Sequence, residues 1–161
     1  AYQNFKGCMT IADLTEQFVQ AKISFDDALQ IVQEQKIVYA PDATMQAMLS
    51  DQQGRTLIVE PGIGWREGDG RYSLITNYSI LAPESTRPFI VPGDDRYEKA
   101  ARLLNTYGKD FTVADTLSIL RTVRQEGIWA TRVSFAYSAK EHTVYYVQNN
   151  DFSQIEKYEF L

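Results

Sequence analysis

The chain has 161 residues, a length that suits one domain with a real core, and its 44% hydrophobic and 23% charged residues are the balance of a globular protein. A net charge of −5 speaks against nucleic acid and anionic lipid as main partners, since both call for a dense Lys/Arg surface. No apolar run is long enough to span a bilayer, and Lys6 and Gly7 interrupt any leader-like segment at Ala1–Thr10.

The single cysteine, Cys8, leaves no internal disulfide, and the single histidine, His142, leaves few ligands for a structural zinc. A Ser-His-Asp triad would have to use His142, which sits in a strand-like run and reads as a half-exposed strand residue. No metal and no cofactor is expected.

The first third reads as helical. Thr10 with Asp13 forms a capping pair ahead of Ile11, Leu14 and Phe18. Ser24 with Asp27 repeats the device ahead of Phe25, Ala28, Leu29 and Val32, and Ala40-Pro41-Asp42 closes the region. Strands follow: Met45–Ser50, a turn at Asp51-Gln52-Gln53-Gly54, then Arg55–Glu60, which is a hairpin signature. Ile63–Trp65 reads as a short strand between Pro61-Gly62 and the Gly68-Asp69-Gly70 run. Arg71–Ile80 reads as a third long strand ending near Thr76-Asn77. Leu81–Asp95, with Pro83, Pro88 and Pro92, is an irregular connection: a functional loop or a surface crossover.

Tyr97, Ala100, Ala101 and Leu104 mark the next helix, with Gly108 as its stop. Thr112 with Asp115 caps another, carrying Leu117, Leu120 and Val123 and ending before Gly127. Thr131–Ser138 alternates, placing Val133, Phe135 and Tyr137 on one face. Ala139-Lys140-Glu141 turns, Thr143–Gln148 returns, and Ile155–Phe160 adds an edge strand. Helix pairs alternating with antiparallel hairpins give an α+β class, with one domain over 1–161.

Several residues bear on chemistry. Gly62-Ile63-Gly64 with Gly68 and Gly70 suggests turns rather than a phosphate loop, because no helix follows. Asp94-Asp95 complement a helix dipole, and Arg96-Tyr97 anchor its start. Glu60 is a structural carboxylate or a general base, and Asp51 serves its turn. Trp65 and Trp129 read as core or pocket wall. Asn77, at a strand end, could donate its amide to a developing oxyanion or serve structure alone. Arg132 opens a strand, where an arginine is an ion-pair or surface residue or a functional one.

Taken in order, Leu49-Ser50-Asp51-Gln52-Gln53-Gly54, Leu57-Ile58-Val59-Glu60, Leu74-Ile75-Thr76-Asn77, Asp95-Arg96-Tyr97-Glu98, Thr112-Val113-Ala114-Asp115, Ala130-Thr131-Arg132-Val133-Ser134-Phe135-Ala136-Tyr137 and Thr143-Val144-Tyr145-Tyr146 resemble the choloylglycine hydrolase and penicillin V acylase group of N-terminal-nucleophile hydrolases. The likeness covers about residues 45–148. It implies a four-layer αββα sandwich and cleavage of non-peptide linear amides of small acyl compounds. The nucleophile would be an N-terminal cysteine assisted by its own α-amino group. Asn77 matches the oxyanion-hole asparagine and Arg132 the arginine beside the nucleophile, where a cation favours thiolate; Tyr78, next to Asn77, is the candidate substrate-binding residue. The chain starts at Ala1 and lacks the family's Cys-first strand, and Cys8 precedes a helix-like segment. A partial chain is therefore expected, with uncovered apolar faces that self-associate or pair with the missing N-terminal part. The alternative is a binding or assembly module on the same scaffold.

Overall fold

The computed structural model describes residues 7–39, 45–68, 70–85, 95–108 and 110–160. Ala40-Pro41-Asp42, Asp69, Pro88, Pro92 and Asp94 lie outside them. The chain divides into two compact units, Ala1–Phe89 and Ile90–Leu161.

The first unit runs β1 (Cys8–Thr10), α1 (Ile11–Val19), α2 (Phe25–Glu34), β2 (Lys36–Val38), β3 (Ala47–Ser50), β4 (Thr56–Glu60) and β5 (Gly64–Glu67), with a 3₁₀ turn at Pro83–Ser85. α1 starts where the Thr10 hydroxyl accepts from the Asp13 N–H at 3.0 Å. α2 has a full capping box. Ser24 Oγ accepts from Asp27 N at 3.1 Å, and the Asp27 carboxylate accepts from Ser24 N at 2.9 Å. Between them these two helices carry Ile11, Leu14, Phe25, Ala28 and Val32 into one buried cluster with Ala47, Leu49, Leu57 and Val59.

β1 and β2 pair in parallel, with Cys8 opposite Lys36, while β3, β4 and β5 form an antiparallel meander. The β3–β4 turn is held by Asp51, whose carboxylate accepts from Gln53 N at 3.0 Å and Arg55 N at 2.9 Å. Arg55 in turn reaches Asp51 at 2.6 Å and Asp26 on α2 at 2.7 Å, and its guanidinium lies 4.3 Å from the centre of the Phe25 ring.

Alternation along β4 places Leu57 and Val59 toward the helices and Thr56, Ile58 and Glu60 on the opposite face. That second face is buried too, because residues 73–81 cross it. Thr56 Oγ1 and Ser73 Oγ are 2.5 Å apart at one end, and Glu60 binds Ser79, Ile80 and Leu81 at the other. Gly68 fits beneath this crossing, where a Cβ would come within 2.0 Å of Thr56 Oγ1 and 2.6 Å of Ser73 Oγ.

Arg71–Ile80 is therefore not the third long strand that its apolar run suggests; the third strand is β5. The reason lies in its hydrogen bonding. The carbonyls of Thr76 and Tyr78 accept from the Gln46 side chain, and Ile80 N–H donates to Glu60, so side chains take the backbone groups that a ladder would use.

The second unit runs α3 (Arg96–Leu104), α4 (Val113–Val123), a 3₁₀ turn at Gly127–Trp129, then β6 (Val133–Ser138), β7 (Thr143–Gln148) and β8 (Glu156–Glu159), an antiparallel meander. α3 stops at Leu104, ahead of Gly108. Thr112 and Asp115 cap α4 reciprocally, at 2.8 Å and 3.3 Å. α4 packs Leu117, with Val113 and Leu120, on Ala136, Tyr145 and Val147. The other sheet face, in register across the strands, holds Val133, Phe135 and Tyr137, then Val144 and Tyr146, then Tyr158. Val133, Phe135, Tyr137 and Tyr158 are exposed, Phe135 to 65%. Phe160 joins them, with ring centres 6.0 Å from Tyr137 and 5.1 Å from Tyr158, both edge-to-face.

Two expectations are corrected in this unit. His142 is not a strand residue: it sits in the β6–β7 turn with a left-handed φ of 49°, and its carbonyl accepts from Phe160 N at 2.8 Å. Trp129 is neither core nor pocket wall, but stands 79% exposed on its 3₁₀ turn. The class is α+β, with four α-helices among the described residues. No helix among them is long and apolar enough to cross a membrane.

Candidate functional site

Asn77 sits in the irregular crossing segment, not at a strand end, and its side chain is exposed. It borders a cavity of about 500 Å³ in the first unit. Tyr39, Met45 and Ile63 form the apolar wall, and Gln46, Glu60, Thr76 and Ser79 bring polar groups to it. The cavity is open to solvent on one side and joins this apolar wall to a few polar groups.

Two anchors fix the loop that presents Asn77. Before it and after it, the carbonyls of Thr76 and Tyr78 both accept from Gln46 Nε2, the second at 3.4 Å. Further on, Glu60 accepts from Ser79 Oγ, from Ile80 N at 2.7 Å and from Leu81 N at 3.4 Å. Ser79 Oγ also accepts from Ala82 N at 2.8 Å, which completes a tight polar knot. Glu60 is only 2% exposed, and the knot satisfies the carboxylate that β4 carries inward. One group in the site is left over: Thr76 Oγ1 is buried and has no hydrogen-bond partner. Tyr78 is half-buried and lies outside the cavity lining.

No family model matches the chain, and no curated protein matches it.

Arg132 belongs to the second unit and Asn77 to the first. Arg132 is exposed and immediately precedes β6, and its carbonyl accepts from Asn149 N at 2.8 Å. Cys8 is half-buried in β1, directly ahead of the Thr10 cap of α1. Asp95 precedes α3 without a side-chain cap and pairs with Lys99 at 2.9 Å, which holds its carboxyl below the usual range. Among the described residues, no group of three or more His, Cys, Asp or Glu could hold a metal ion. Gly62 takes a φ of 76° in the β4–β5 turn, and no helix follows the glycine run, so turn geometry accounts for it. Trp65 borders a smaller cavity of about 220 Å³, which Glu60 also lines.

Gln46 and Ser79 carry no motif, and sequence reasoning passes over both. Their roles follow from contacts across 30 and 19 residues of chain, which local pattern does not encode.

Proposed function

We propose that this chain forms part of a hydrolase that cleaves the non-peptide linear amide of a small acylated compound. In this reading Asn77 donates its side-chain amide to the oxyanion of the tetrahedral intermediate, where such a donor contributes most. Arg132 lies beside a cysteine nucleophile and favours its thiolate. The nucleophile is the N-terminal cysteine of the active enzyme, whose α-amino group takes the proton; Cys8, ahead of a helix, is not suited to that place. In this reading the two three-stranded sheets, β3–β5 and β6–β8, belong to a four-layer αββα sandwich. A substrate contact by Tyr78 rests on the resemblance alone, since Tyr78 lies outside the lining of the cavity that Asn77 borders.

The observation that carries this reading is the position of Asn77 on the rim of a polar-apolar cavity, on a loop pinned at two side-chain anchors. The test is hydrolysis of a panel of acyl amides by a longer protein that begins, after processing, with cysteine. Asn77→Ala is expected to lower kcat by about 10²–10³ with the fold intact. Full activity in that variant removes Asn77 from the mechanism.

A second reading has its own support. The bare aromatic face of β6–β8 suits a module whose work is assembly, and an inactive longer protein with that face engaged would favour it.

A further inference from the structure

We propose that the free edge of β6 pairs antiparallel with β6 of a second copy of this chain, across a twofold axis, so that two three-stranded sheets join into one of six strands. This contact is independent of the hydrolase reading: it uses neither Asn77 nor the cavity beside it.

The strand order β6-β7-β8 leaves β6 at one edge of its sheet. Two bonds at the ends of the ladders decide which of its backbone groups face outward. Asn149 N–H donates to the Arg132 carbonyl at 2.8 Å, one step beyond the Val133–Gln148 pair. Bonded pairs recur at every second residue of an antiparallel ladder, so Ser134, Ala136 and Ser138 turn their N–H and C=O groups toward β7. The bond from Phe160 N–H to the His142 carbonyl gives the same parity from the other side: it turns Val144 and Tyr146 toward β8, and leaves Thr143, Tyr145 and Val147 for β6. Val133, Phe135 and Tyr137 therefore present their N–H and C=O groups at the open edge, and among the described residues none bonds to them.

Nothing along β6 guards that edge. The strand, Val-Ser-Phe-Ala-Tyr-Ser, has no charged residue and no proline, and its three outward residues are each more than half exposed. The opposite edge is different. By the same parity β8 turns out the backbone of Lys157 and Glu159, whose side chains pair at 2.6 Å. Charges of this kind discourage strand addition, whereas an uncharged apolar edge invites it.

A second copy fits this edge because the strand is its own complement. The outward residues are spaced evenly about Phe135, so an antiparallel copy centred there sets Phe135 against the second copy's Phe135, and Val133 against its Tyr137 in both directions. Every outward N–H then meets a C=O. The side-chain pairs formed are aromatic with aromatic and aromatic with β-branched, both favourable across strands. The edge carries no charge that would select a different partner. A twofold contact uses up both β6 edges and leaves only the two charged β8 edges, so assembly stops at two copies. Strand pairing at three residues per copy covers less than the roughly 1,000 Å² of a lasting interface, so the dimer is a weak one, with a Kd on the order of 10⁻⁴ M.

The experiment takes the 161-residue chain from about 10 µM to about 1 mM, a range that brackets this Kd. Sedimentation equilibrium is expected to show monomer giving way to dimer and to nothing larger. Over the same range, amide hydrogen exchange at Val133, Phe135 and Tyr137 should slow about fivefold, while Ser134, Ala136 and Ser138 stay protected throughout. Val133→Pro removes one outward N–H, keeps an apolar side chain and takes no bond from the β7 ladder, at the first strand position where proline is tolerated. It should weaken the dimer about tenfold or more. A monomer at every concentration, a dimer in which the three outward amides exchange as they do in the monomer, or growth past two copies overturns the proposal. Those outcomes are read on the wild type, so a misfolded Val133→Pro leaves the test intact. A folded Val133→Pro that dimerises as the wild type does overturns it as well.

Discussion

Gln125 and Thr131 close a loop on each other: the Thr131 hydroxyl accepts from Gln125 N at 2.9 Å, and Thr131 N donates to the Gln125 carbonyl at 3.0 Å. The exposed turn Gly127–Trp129 lies inside that loop, and Arg132 leaves it on the way into β6. Asn150 adds a third tie, donating its side chain to the Gln125 carbonyl at 2.9 Å. Thr131→Ala is thus expected to cost about 1 kcal/mol, the usual net contribution of one such bond. Amide hydrogen exchange of residues 125–132 should speed up in this variant while the β7 amides stay protected. Unchanged exchange in the loop would show that the hydroxyl does not hold it.

Acid sensitivity should come in part from the α2 cap. The backbone N–H and then the hydroxyl of Ser24 hold the Asp27 carboxyl below its ordinary value of 3.8. A carboxyl depressed in the folded state contributes stability above its unfolded pKa and loses it as pH falls through the folded value. Asp27→Asn should therefore lower Tm at neutral pH, and the gap from wild type should close below about pH 3–4. A gap of the same size at pH 2 and pH 7 would contradict this account.

The first unit's core rests on Leu57, fully buried between β3, β5 and the helices. Leu57→Ala is expected to cost about 2–5 kcal/mol in chemical denaturation, as a deleted core side chain leaves a cavity. A cost below about 1 kcal/mol would mean that this cluster is not the stabilising core of its unit.

The bare sheet face predicts association. Phe135→Lys, at the most exposed of its large residues on β6, should weaken any pairing of the chain with itself, with little change in Tm. Sedimentation of wild type and variant across a range of concentrations checks this. A wild-type chain that sediments as a monomer throughout rules out self-association through this face.

Much of the fold was legible because its signals are local. The Thr10–Asp13, Ser24–Asp27 and Thr112–Asp115 spacings announce helix starts that form as read, and Asp51 with Gly54 announces the β3–β4 turn. Alternation at Val133, Phe135 and Tyr137 gives the right strand and the right parity. It does not say which side is covered, and here α4 packs over the small Ser134 and Ala136 side. The run Leu74-Ile75-Thr76 misleads because apolar content does not distinguish a strand from a segment lying flat across a sheet. The surroundings of Asn77 depend on Gln46 and Glu60, far away in sequence, so the residue could be singled out but its setting could not.

The crossing segment owes its path to a few side chains instead of a hydrogen-bonded ladder, and this makes its course adjustable. Exchanging Gln46, which lies outside the paired strands, for a longer or shorter residue would re-aim the Asn77 tip while the β3–β5 meander keeps its register. The course of the Asn77 loop and the pairing of the hairpins are thus held by different bonds, side chain to backbone in the one and strand to strand in the other.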